Sequence, residues 1–402
     1  MTLQPEINVV MLGHVDHGKT SITKALSGVW TDTHSEEVKR GITIKIGYAD
    51  VEIYKCPKCA GAAAFGTKKA CVHCGSPAEM VRKFSIIDAP GHETLMTTAI
   101  AASSITDGAI LVIAANEECP QPQTLEHLMV LEILGIDKIV VVQNKVDVVS
   151  PEKARENYAK IKEFLKGTRA ENAPIIPMAA NYGINTDALL KAIYEHVPVP
   201  ERNDKLPLRM YVARSFDVNK PGSEITRLVG AVVGGSIIQG RAKVGDQIEI
   251  SPGIAIDPKK GTYEKIYTTI TEIRSGGSRV NEAGPGGLLA LSTMLDPALA
   301  KSDGLVGQLV GKPGTLPEPV AEVNIEYRLL DRADLQMPAL QQSEPIVISV
   351  GTAVSVGIVK ALKKGIASVT LKRPIVVEKG SKVAISRRVG NRWRLGGFGI
   401  VK

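Results

Sequence analysis

The segment INVVMLGHVDHGKT, residues 7–20, decides the fold of the first half of the chain. Its first six residues form a continuous apolar run, typical of a buried strand, and the next eight match G-x-x-x-x-G-K-[ST] in full. In that setting Gly13 and Gly18 let backbone N–H groups approach phosphates, and a helix N-terminus adds its positive dipole. Lys19 can then neutralise β- and γ-phosphates, and Thr20 can offer its hydroxyl to Mg²⁺. The segment predicts the phosphate-binding loop of a nucleotide-binding domain.

The pattern around this loop alternates apolar strands with helical stretches. The predicted strands are residues 7–12, 84–89, 108–115, 138–145 and 174–180, and the predicted helices begin at Thr20 and span Gln123–Leu134 and Glu152–Leu165. Together with the phosphate-binding loop, such alternation predicts an α/β P-loop domain with a mostly parallel sheet and helices on both faces.

The sequence pattern changes near Val197–Pro207, a stretch rich in proline and charged residues. Beyond it, short runs rich in Val, Ile and Thr are separated by glycine turns, which is typical of small antiparallel β-barrels. A second Pro/Gly-rich junction lies at 311–320. We therefore expect three domains, at residues 1–203, 204–315 and 316–402.

Two further segments complete the predicted nucleotide site and select its base. DAPGH (88–92) follows a buried strand, so that Asp88 can hold the metal shell and the Gly91 amide can sense a γ-phosphate. Asn144, Lys145 and Asp147 follow another strand, and a carboxylate there accepts both the N1–H and the N2 amine of guanine. The carboxyl edge of a parallel sheet is where such ligands bind.

RGITI (40–44) supplies Thr43 as a switch threonine, whose hydroxyl can ligate Mg²⁺ while its amide meets the γ-phosphate. Taken alone, the same residues are also consistent with a turn followed by a strand. Thr43 is therefore a candidate because of the motifs around it.

Cys56-x-x-Cys59 and Cys71-x-x-Cys74 lie in a Gly/Ala/Lys-rich insertion, Lys55–Pro77. Four thiolates at this spacing predict a closed, structural Zn²⁺ site, a zinc knuckle, because the insertion has too few apolar residues to fold otherwise. The alternatives are a metal-free segment, or His73 replacing one cysteine as ligand. Cys119 stands apart and is expected to be a small buried residue.

Charge is distributed unevenly along the chain. The net charge is +7, yet residues 320–402 alone carry 14 Lys and Arg against 6 Asp and Glu. This surplus is consistent with a polyanionic partner or with an ordinary solvated face. Phosphate contacts are conceivable for the arginines around Trp393, at positions 387, 388, 392 and 394, although Trp393 can equally belong to a barrel core. The N-terminus has no leader-like pattern and no apolar run reaches membrane-spanning length, so we expect a cytoplasmic protein without membrane contact.

GHVDHGKT, DAPGH and NKVD together resemble the elongation factor Tu-like translational GTPases. The segments at 28–50, 144–150, 214–222 and 234–240 are similar to gamma subunits of archaeal and eukaryotic translation initiation factor two, and the chain length favours the archaeal form. The resemblance covers essentially the whole chain. It implies a G domain followed by two β-barrels.

The resemblance also implies a set of site residues. It assigns catalytic roles to Lys19, Thr43 and His92. His92 matches the histidine thought to position the attacking water. The residues expected to contact GTP or GDP are Asp16, His17, Gly18, Lys19, Thr20, Ser21, Gly91, Asn144, Lys145, Asp147, Ala179, Ala180 and Asn181. Magnesium is expected at Thr20, Thr43 and Asp88, with a second ion at Asp16 and the Gly41 carbonyl. The last base-contacting loop reads Ala179-Ala180-Asn181 where the family usually has Ser-Ala, so a hydroxyl contact is lost.

The expected function is GTP-dependent delivery of methionyl initiator tRNA to the small ribosomal subunit, with release after GTP hydrolysis. The family works as a heterotrimer with an alpha and a beta subunit. Two alternatives are an elongation factor, general or selenocysteine-specific, and a GTPase of metabolism or ribosome assembly. The four-cysteine insertion and the end at residue 402 argue against the first, and the two barrels argue against the second. The partner of the knuckle stays open among tRNA, a subunit and the ribosome.

Overall fold

A computed structural model describes residues 4–31, 43, 45–92, 95–220, 222, 224, 228–257, 261–331, 337–390 and 392–402. The chain divides into two compact units. One, here the N-terminal unit, comprises Pro5–Pro200, and the other, here the barrel unit, comprises Met1–Gln4 and Glu201–Lys402. In the described residues, no helix combines the length and the apolar character that crossing a bilayer requires.

The N-terminal unit is a seven-stranded sheet with helices packed on it. The strands are β1 (Ile7–Gly13), β2 (Gly47–Lys55), β3 (Phe65–Gly66), β4 (Glu79–Asp88), β5 (Gly108–Ala114), β6 (Ile139–Asn144) and β7 (Ile175–Pro177). The α-helices among the described residues are α1 (Lys19–Ser27), α2 (Met96–Ser103), α3 (Pro122–Leu134), α4 (Pro151–Leu165) and α5 (Thr186–His196). Short 3₁₀ turns lie at Gly61–Ala64, Val146–Val148 and Ala180–Tyr182.

The sheet order is β3-β2-β4-β1-β5-β6-β7. Strands β4, β1, β5, β6 and β7 run parallel, as the sequence pattern predicts, whereas β2 pairs antiparallel with β4 and β3. The sheet is therefore mixed, because the chain returns from β2 to β4 through a hairpin-like excursion and not through a helix.

Helices cover both faces of this sheet because its strands are apolar on both sides. Alternate β1 residues, represented by Ile7 and Val9, join a core with Ile22 of α1 and Leu189 of α5. Residues of opposite parity, such as Val10, are equally buried, and β1 also contacts α2 and α3.

The barrel unit holds two closed antiparallel barrels. The first is built from β8 (Arg209–Phe216), β9 (Val232–Gln239), β11 (Gln247–Asp257), β12 (Thr262–Ser275), β15 (Leu289–Thr293) and β16 (Leu309–Gly311), closed by pairing of β11 with β12. Short β13 (Ser278–Val280) extends β12, β10 (Ala242–Lys243) pairs with β14 (Glu282–Ala283), and a kinked 3₁₀ segment spans Pro297–Asp303. The second barrel is β17 (Val320–Leu329), β18 (Pro345–Val350), β19 (Ala353–Lys363), β20 (Ile366–Ile375), β21 (Lys382–Val389) and β22 (Arg392–Val401).

Polar contacts join the two barrels within this unit. Arg209 and Glu378 form an ion pair at 2.6 Å, and a Cβ added to Gly351 would lie 2.6 Å from the Tyr211 ring. Lys265 bonds both the buried Glu249 of β11 and Glu318 of the connecting segment. The two barrels thus share an interface that tolerates little added volume.

Candidate functional site: a nucleotide cleft and a four-cysteine cluster

The phosphate-binding loop lies between β1 and α1 and depends on two glycines. Gly13 has φ +141° and a Cβ there would lie 2.3 Å from the Val112 carbonyl oxygen. Gly18 has φ +95° and a Cβ there would lie 2.2 Å from Asn144 Nδ2. Any larger side chain would therefore push the loop away from β5 or from Asn144, which is the physical reason for glycine at both positions.

Lys19 crosses this loop and is nearly buried. Its Nζ donates to the carbonyl oxygens of Gly13, at 3.0 Å, and His14, at 2.8 Å. Gly91 approaches the same ammonium so closely that an added Cβ would lie 2.4 Å from Nζ. The Lys19 charge and the Gly91 backbone therefore meet where the terminal phosphates of a nucleotide would lie.

Three imidazoles in and behind the phosphate-binding loop stay uncharged at neutral pH. His127 Nδ1 accepts the Gly13 N–H at 2.9 Å, and burial lowers the pKa of His127 to about 3. His17 packs against the Val112 carbonyl oxygen at 3.0 Å and Glu117 at 3.3 Å, and burial lowers its pKa to about 4. Burial also lowers the pKa of His14. Positive charge at the loop therefore comes from Lys19 and the N-terminus of α1.

The predicted magnesium ligands converge beside the loop. Thr20 Oγ1 lies 3.4 Å from Thr43 Oγ1 and donates to Asp88 Oδ2 at 2.8 Å. Octahedral Mg²⁺ with oxygens at 2.0–2.1 Å places neighbouring ligands about 3 Å apart, so the two hydroxyls fit one ion. Thr31 Oγ1 also donates to Asp88 Oδ2, at 2.6 Å. Asp16, predicted at the second magnesium, has φ +62° and lines the cleft, whereas Gly41 lies outside the described residues.

Asn144 ties together the segments that would surround the base. Its Nδ2 donates to the His17 carbonyl oxygen at 2.9 Å, and its Oδ1 accepts the Ala180 N–H at 3.1 Å. Lys145 has φ +62° and turns the chain so that Asp147 is exposed in the cleft. The asparagine thus holds the base-reading loops against the phosphate loop, while Asp147 keeps its carboxylate available.

These residues line one cleft of about 540 Å³. The predicted residues found in its wall are Asp16, Gly18, Lys19, Thr20, Ser21, Thr43, Gly91, His92, Asn144, Lys145, Asp147, Ala180 and Asn181. Three predicted residues do not line it: His17 and Ala179 are buried, and Asp88 lies beneath it, bonded to Thr20.

Four cleft residues were not predicted from the sequence: Val15, Trp30, Asn116 and Val148. Asn116 follows β5 at the same sheet edge, a position that parallel topology alone marks as exposed to ligand. Trp30 comes two residues after Gly28, which ends α1 in the left-handed conformation, and its side chain is 46% exposed.

The four cysteines of the insertion form one cluster. Their sulfur atoms all lie within 4.8 Å of one another, with Cys56 and Cys74 at 3.5 Å and Cys59 and Cys71 at 3.7 Å. Zinc bound tetrahedrally at about 2.3 Å from each sulfur requires separations of about 3.8 Å. The cluster therefore fits a closed Zn²⁺ site, while His73 lies instead 3.4 Å from Asp187.

The arginines near the C-terminus lie in different environments. Arg387 is buried and pairs with Glu344 through Nε–Oε1 at 2.6 Å and Nη2–Oε2 at 2.9 Å, and it also donates to the Pro338 carbonyl oxygen. Arg388 is exposed, across the β21–β22 ladder from the half-buried Trp393. Arg387 therefore stabilises the barrel, and Glu344 neutralises its charge inside the protein.

Comparison with known proteins identifies the family. A family model described as the elongation factor Tu GTP binding domain matches residues 4–199, and one described as the C-terminal region of initiation factor eIF2 gamma matches residues 321–401. The translation initiation factor 2 subunit gamma of Methanothermobacter thermautotrophicus is 52% identical over 408 residues, covering 100% of both chains. The chain belongs to the translation initiation factor 2 gamma subunit family. The counterparts of Methanocaldococcus jannaschii and Pyrococcus horikoshii are 54% and 53% identical, over 99% and 100% of this chain and 98% of each relative.

Solved structures agree with the fold of this gamma subunit family. A bacterial selenocysteine-specific elongation factor superposes with a TM-score of 0.74 at 28% identity over 98% of this chain, which spans 58% of that longer chain. Elongation factor SelB of Methanococcus maripaludis, solved with the GTP analogue GppNHp, gives a TM-score of 0.73 at 22% identity, covering 99% of this chain and 79% of its own. As a gamma subunit family member the chain is a translational GTPase, which implies GTP and GDP as ligands with Mg²⁺.

Proposed function

We propose that this chain carries methionyl initiator tRNA to the small ribosomal subunit in its GTP state and releases it after GTP hydrolysis. It acts as the gamma chain of a cytoplasmic heterotrimer with an alpha and a beta subunit. Full-length identity of 52–54% to initiation factor 2 gamma subunits carries this proposal. The domains proposed for it are residues 1–203, 204–315 and 316–402.

The geometry of the cleft supports a GTP switch. Segments from three sequence regions, around Lys19, Gly91 and Asn144, line one cleft. Thr43 lies beside Thr20, with its hydroxyl 3.4 Å from that of Thr20. A γ-phosphate between Lys19 and Gly91 would add contacts that GDP cannot make, so the two nucleotides would favour different arrangements of the adjoining segments.

Specific roles follow for individual residues. Lys19 neutralises the β- and γ-phosphates, and the α1 N-terminus at Gly18–Ser21 donates backbone N–H groups to them. Thr20 and Thr43 are proposed to hold Mg²⁺, with Asp88 behind them, and the ion would supply charge neutralisation at the phosphates. Asp147 selects guanine by accepting hydrogen bonds from the N1–H and the N2 amine of that base. His92 lines the cleft and is proposed to orient the water that attacks the γ-phosphorus.

The cysteine cluster is proposed to hold one structural Zn²⁺. The sulfur separations fit a tetrahedral ion, and four protein thiolates leave no open ligand position. Replacing both Cys56 and Cys59 by serine should remove bound zinc, as measured by atomic emission on the purified chain. Undiminished zinc in that variant would refute the assignment, and Cys119→Ser serves as the matched control.

Protection of the methionyl ester against spontaneous hydrolysis tests the carrier function. The assay uses initiator and elongator methionyl-tRNA with the full chain, in a non-hydrolysable GTP analogue or in GDP, with and without the alpha subunit. We expect protection of the initiator species in the GTP-analogue state only. Absence of protection in every state would leave a guanine-nucleotide switch with another cargo, and the metabolic or assembly role would then be tested next.

A further inference from the structure

The zinc knuckle, residues 55–77, presents a basic surface. It contains Lys55, Lys58, Lys68 and Lys69 and no acidic residue. All four lysines are exposed. A zinc tetrathiolate carries a formal charge of −2 at the centre of the segment, so the four peripheral ammonium groups still leave a positive excess.

Several half-buried lysines of the N-terminal unit are paired with carboxylates. Lys138, Lys160 and Lys191 each pair with a carboxylate, at 3.2, 2.9 and 2.8 Å respectively. Among the described residues, Lys58 and Lys69 have no such partner, nor does Lys68. Exposed lysines of α4 and its C-terminal end, Lys153, Lys162 and Lys166, likewise form no ion pair with a described carboxylate. The knuckle lysines differ from them in lying within one short segment that contains no acidic residue, so their charge is available to a partner.

The knuckle is held in a fixed shape on the helix behind it. Cys56 N donates to the Ala64 carbonyl oxygen at 2.7 Å, and Ala78 N donates to the Lys69 carbonyl oxygen at 2.8 Å. The Phe65 ring packs 5.5 Å from the Tyr194 ring of α5. A partner would therefore meet lysines on an ordered backbone, which reduces the entropy lost on binding.

The chemistry of the surface favours phosphates over a protein partner. Protein interfaces depend on aromatic, arginine and methionine anchors and are depleted in lysine. The knuckle has no arginine or methionine, its single aromatic residue, Phe65, is buried, and Val72 is its large exposed apolar side chain, at 68%. Lysines without apolar anchors match the phosphate backbone of a nucleic acid.

The position of the knuckle separates it from the switch. Strand β2 pairs Gly47 with Asp88 at its nucleotide end and Lys55 with Glu79 at its knuckle end. Eight steps of about 3.3 Å place the two ends about 26 Å apart. A contact to cargo that must be released on hydrolysis belongs near the switch, whereas a remote, rigid contact suits a partner that stays bound through the cycle.

We propose that the lysine face of the zinc knuckle binds the phosphate backbone of ribosomal RNA on the small ribosomal subunit, independently of the bound nucleotide. This inference rests on the proposed function, because it assumes that the chain visits the small subunit. The knuckle is then an electrostatic docking element, and the tRNA is held elsewhere on the molecule.

The test compares two triple variants of the full chain. Lys58→Gln, Lys68→Gln and Lys69→Gln remove the proposed contacts. Lys153→Gln, Lys162→Gln and Lys166→Gln remove the same charge from exposed positions on α4 and at its C-terminal cap. Binding of both to purified archaeal small ribosomal subunits is measured between 50 and 200 mM salt, in GDP and in a GTP analogue, together with zinc content and ester protection.

We expect the knuckle variant to bind small subunits at least tenfold more weakly at low salt, in both nucleotide states. The slope of its log affinity against log salt concentration should also become less steep by about 2, since each phosphate contact contributes about 0.7–0.9 to that slope. Zinc content and initiator tRNA protection should stay unchanged, and the α4 variant should match the unmodified chain.

Equal losses in both variants, an unchanged slope, or weaker tRNA protection with normal subunit binding would overturn the inference. So would an unmodified chain that does not bind small subunits. Failure of ester protection in the unmodified chain would instead count against the carrier function, so the two failures are distinguishable.

Discussion

Lowering the pH from 7.5 to 5.5 should destabilise the N-terminal unit and leave the barrel unit nearly unaffected. All seven histidines lie between residues 14 and 196. Burial lowers the pKa of His17 to about 4 and that of His127 to about 3, from a usual value of 6.5. Both imidazoles are therefore neutral in the folded protein throughout this pH range.

The direction of the effect follows from the proton balance. Well above pH 6.5 neither state binds a proton at these sites, so the full stability is present. As the pH falls below 6.5 the unfolded chain takes up protons that the folded protein excludes, and stability is lost. At pH 5.5 the loss is about 1.4 kcal/mol for each imidazole and about 3 kcal/mol for both.

Urea unfolding at the two pH values measures this loss, and the chain offers a separate reporter for each unit. The described α-helices all lie in residues 5–200, so circular dichroism at 222 nm follows the N-terminal unit. Trp30 and Trp393 are the two tryptophans. In a Trp30→Phe variant, fluorescence follows Trp393 and hence the barrel unit.

His127→Gln isolates one of the two contributions. Glutamine can still accept the Gly13 N–H but does not titrate, so the pH-dependent loss should shrink by about 1.4 kcal/mol. The reasoning is refuted if the helical transition has equal midpoints at both pH values, or if His127→Gln keeps the full loss. A comparable shift in the Trp393 transition would show that carboxylates, and not histidines, dominate.

Three other substitutions test the assigned roles. Asp147→Asn should weaken GTP binding and admit xanthine nucleotides, measured by calorimetric titration; unchanged guanine preference would contradict the base-reading role. Gly18→Ala should weaken GTP and GDP binding at least 100-fold, about 2.7 kcal/mol, because its Cβ would lie 2.2 Å from Asn144 Nδ2 at φ +95°. Arg387→Ala should destabilise the second barrel by about 3 kcal/mol, since it strands the Glu344 carboxylate; Trp393 fluorescence during urea unfolding measures this, and a loss below 1 kcal/mol would mean that Glu344 is well solvated.

Local chemistry explains why the nucleotide cleft was largely predictable. Gly13, Gly18 and Lys19 occupy a contiguous motif whose backbone geometry leaves few alternatives, and Asp88 and Asn144 each end a strand of the same parallel sheet. Strand ends at one edge must converge, so the sequence order of the motifs was enough to bring them together. The helix predicted at Gln123–Leu134 likewise matches α3 to within one residue.

Residues that act across long sequence separations were not predictable in this way. His127 holds the Gly13 amide over 114 positions, and only the packing of α3 against β1 brings the two together. A histidine within an apolar helical run carries no signal of such a role. The burial of Arg387, in contrast, was predictable. Alternate residues of a strand face the same side, and Arg387 follows the core residues Val383 and Ile385 at intervals of two on β21.

The antiparallel return of β2 onto β4 has the largest consequence for function. Sequence order places the zinc knuckle between Thr43 and Asp88, two of the predicted magnesium ligands. The nine residues of β2 instead carry the chain from the nucleotide edge to the opposite end of the sheet before the cysteines begin. Strand β4 then returns to Asp88 at the nucleotide edge. The nucleotide cleft and the basic surface of the knuckle therefore lie at opposite ends of one strand pair. Rearrangement near Thr43 and Asp88 can proceed while the knuckle keeps its shape, so a docking contact there need not break each time the bound nucleotide changes.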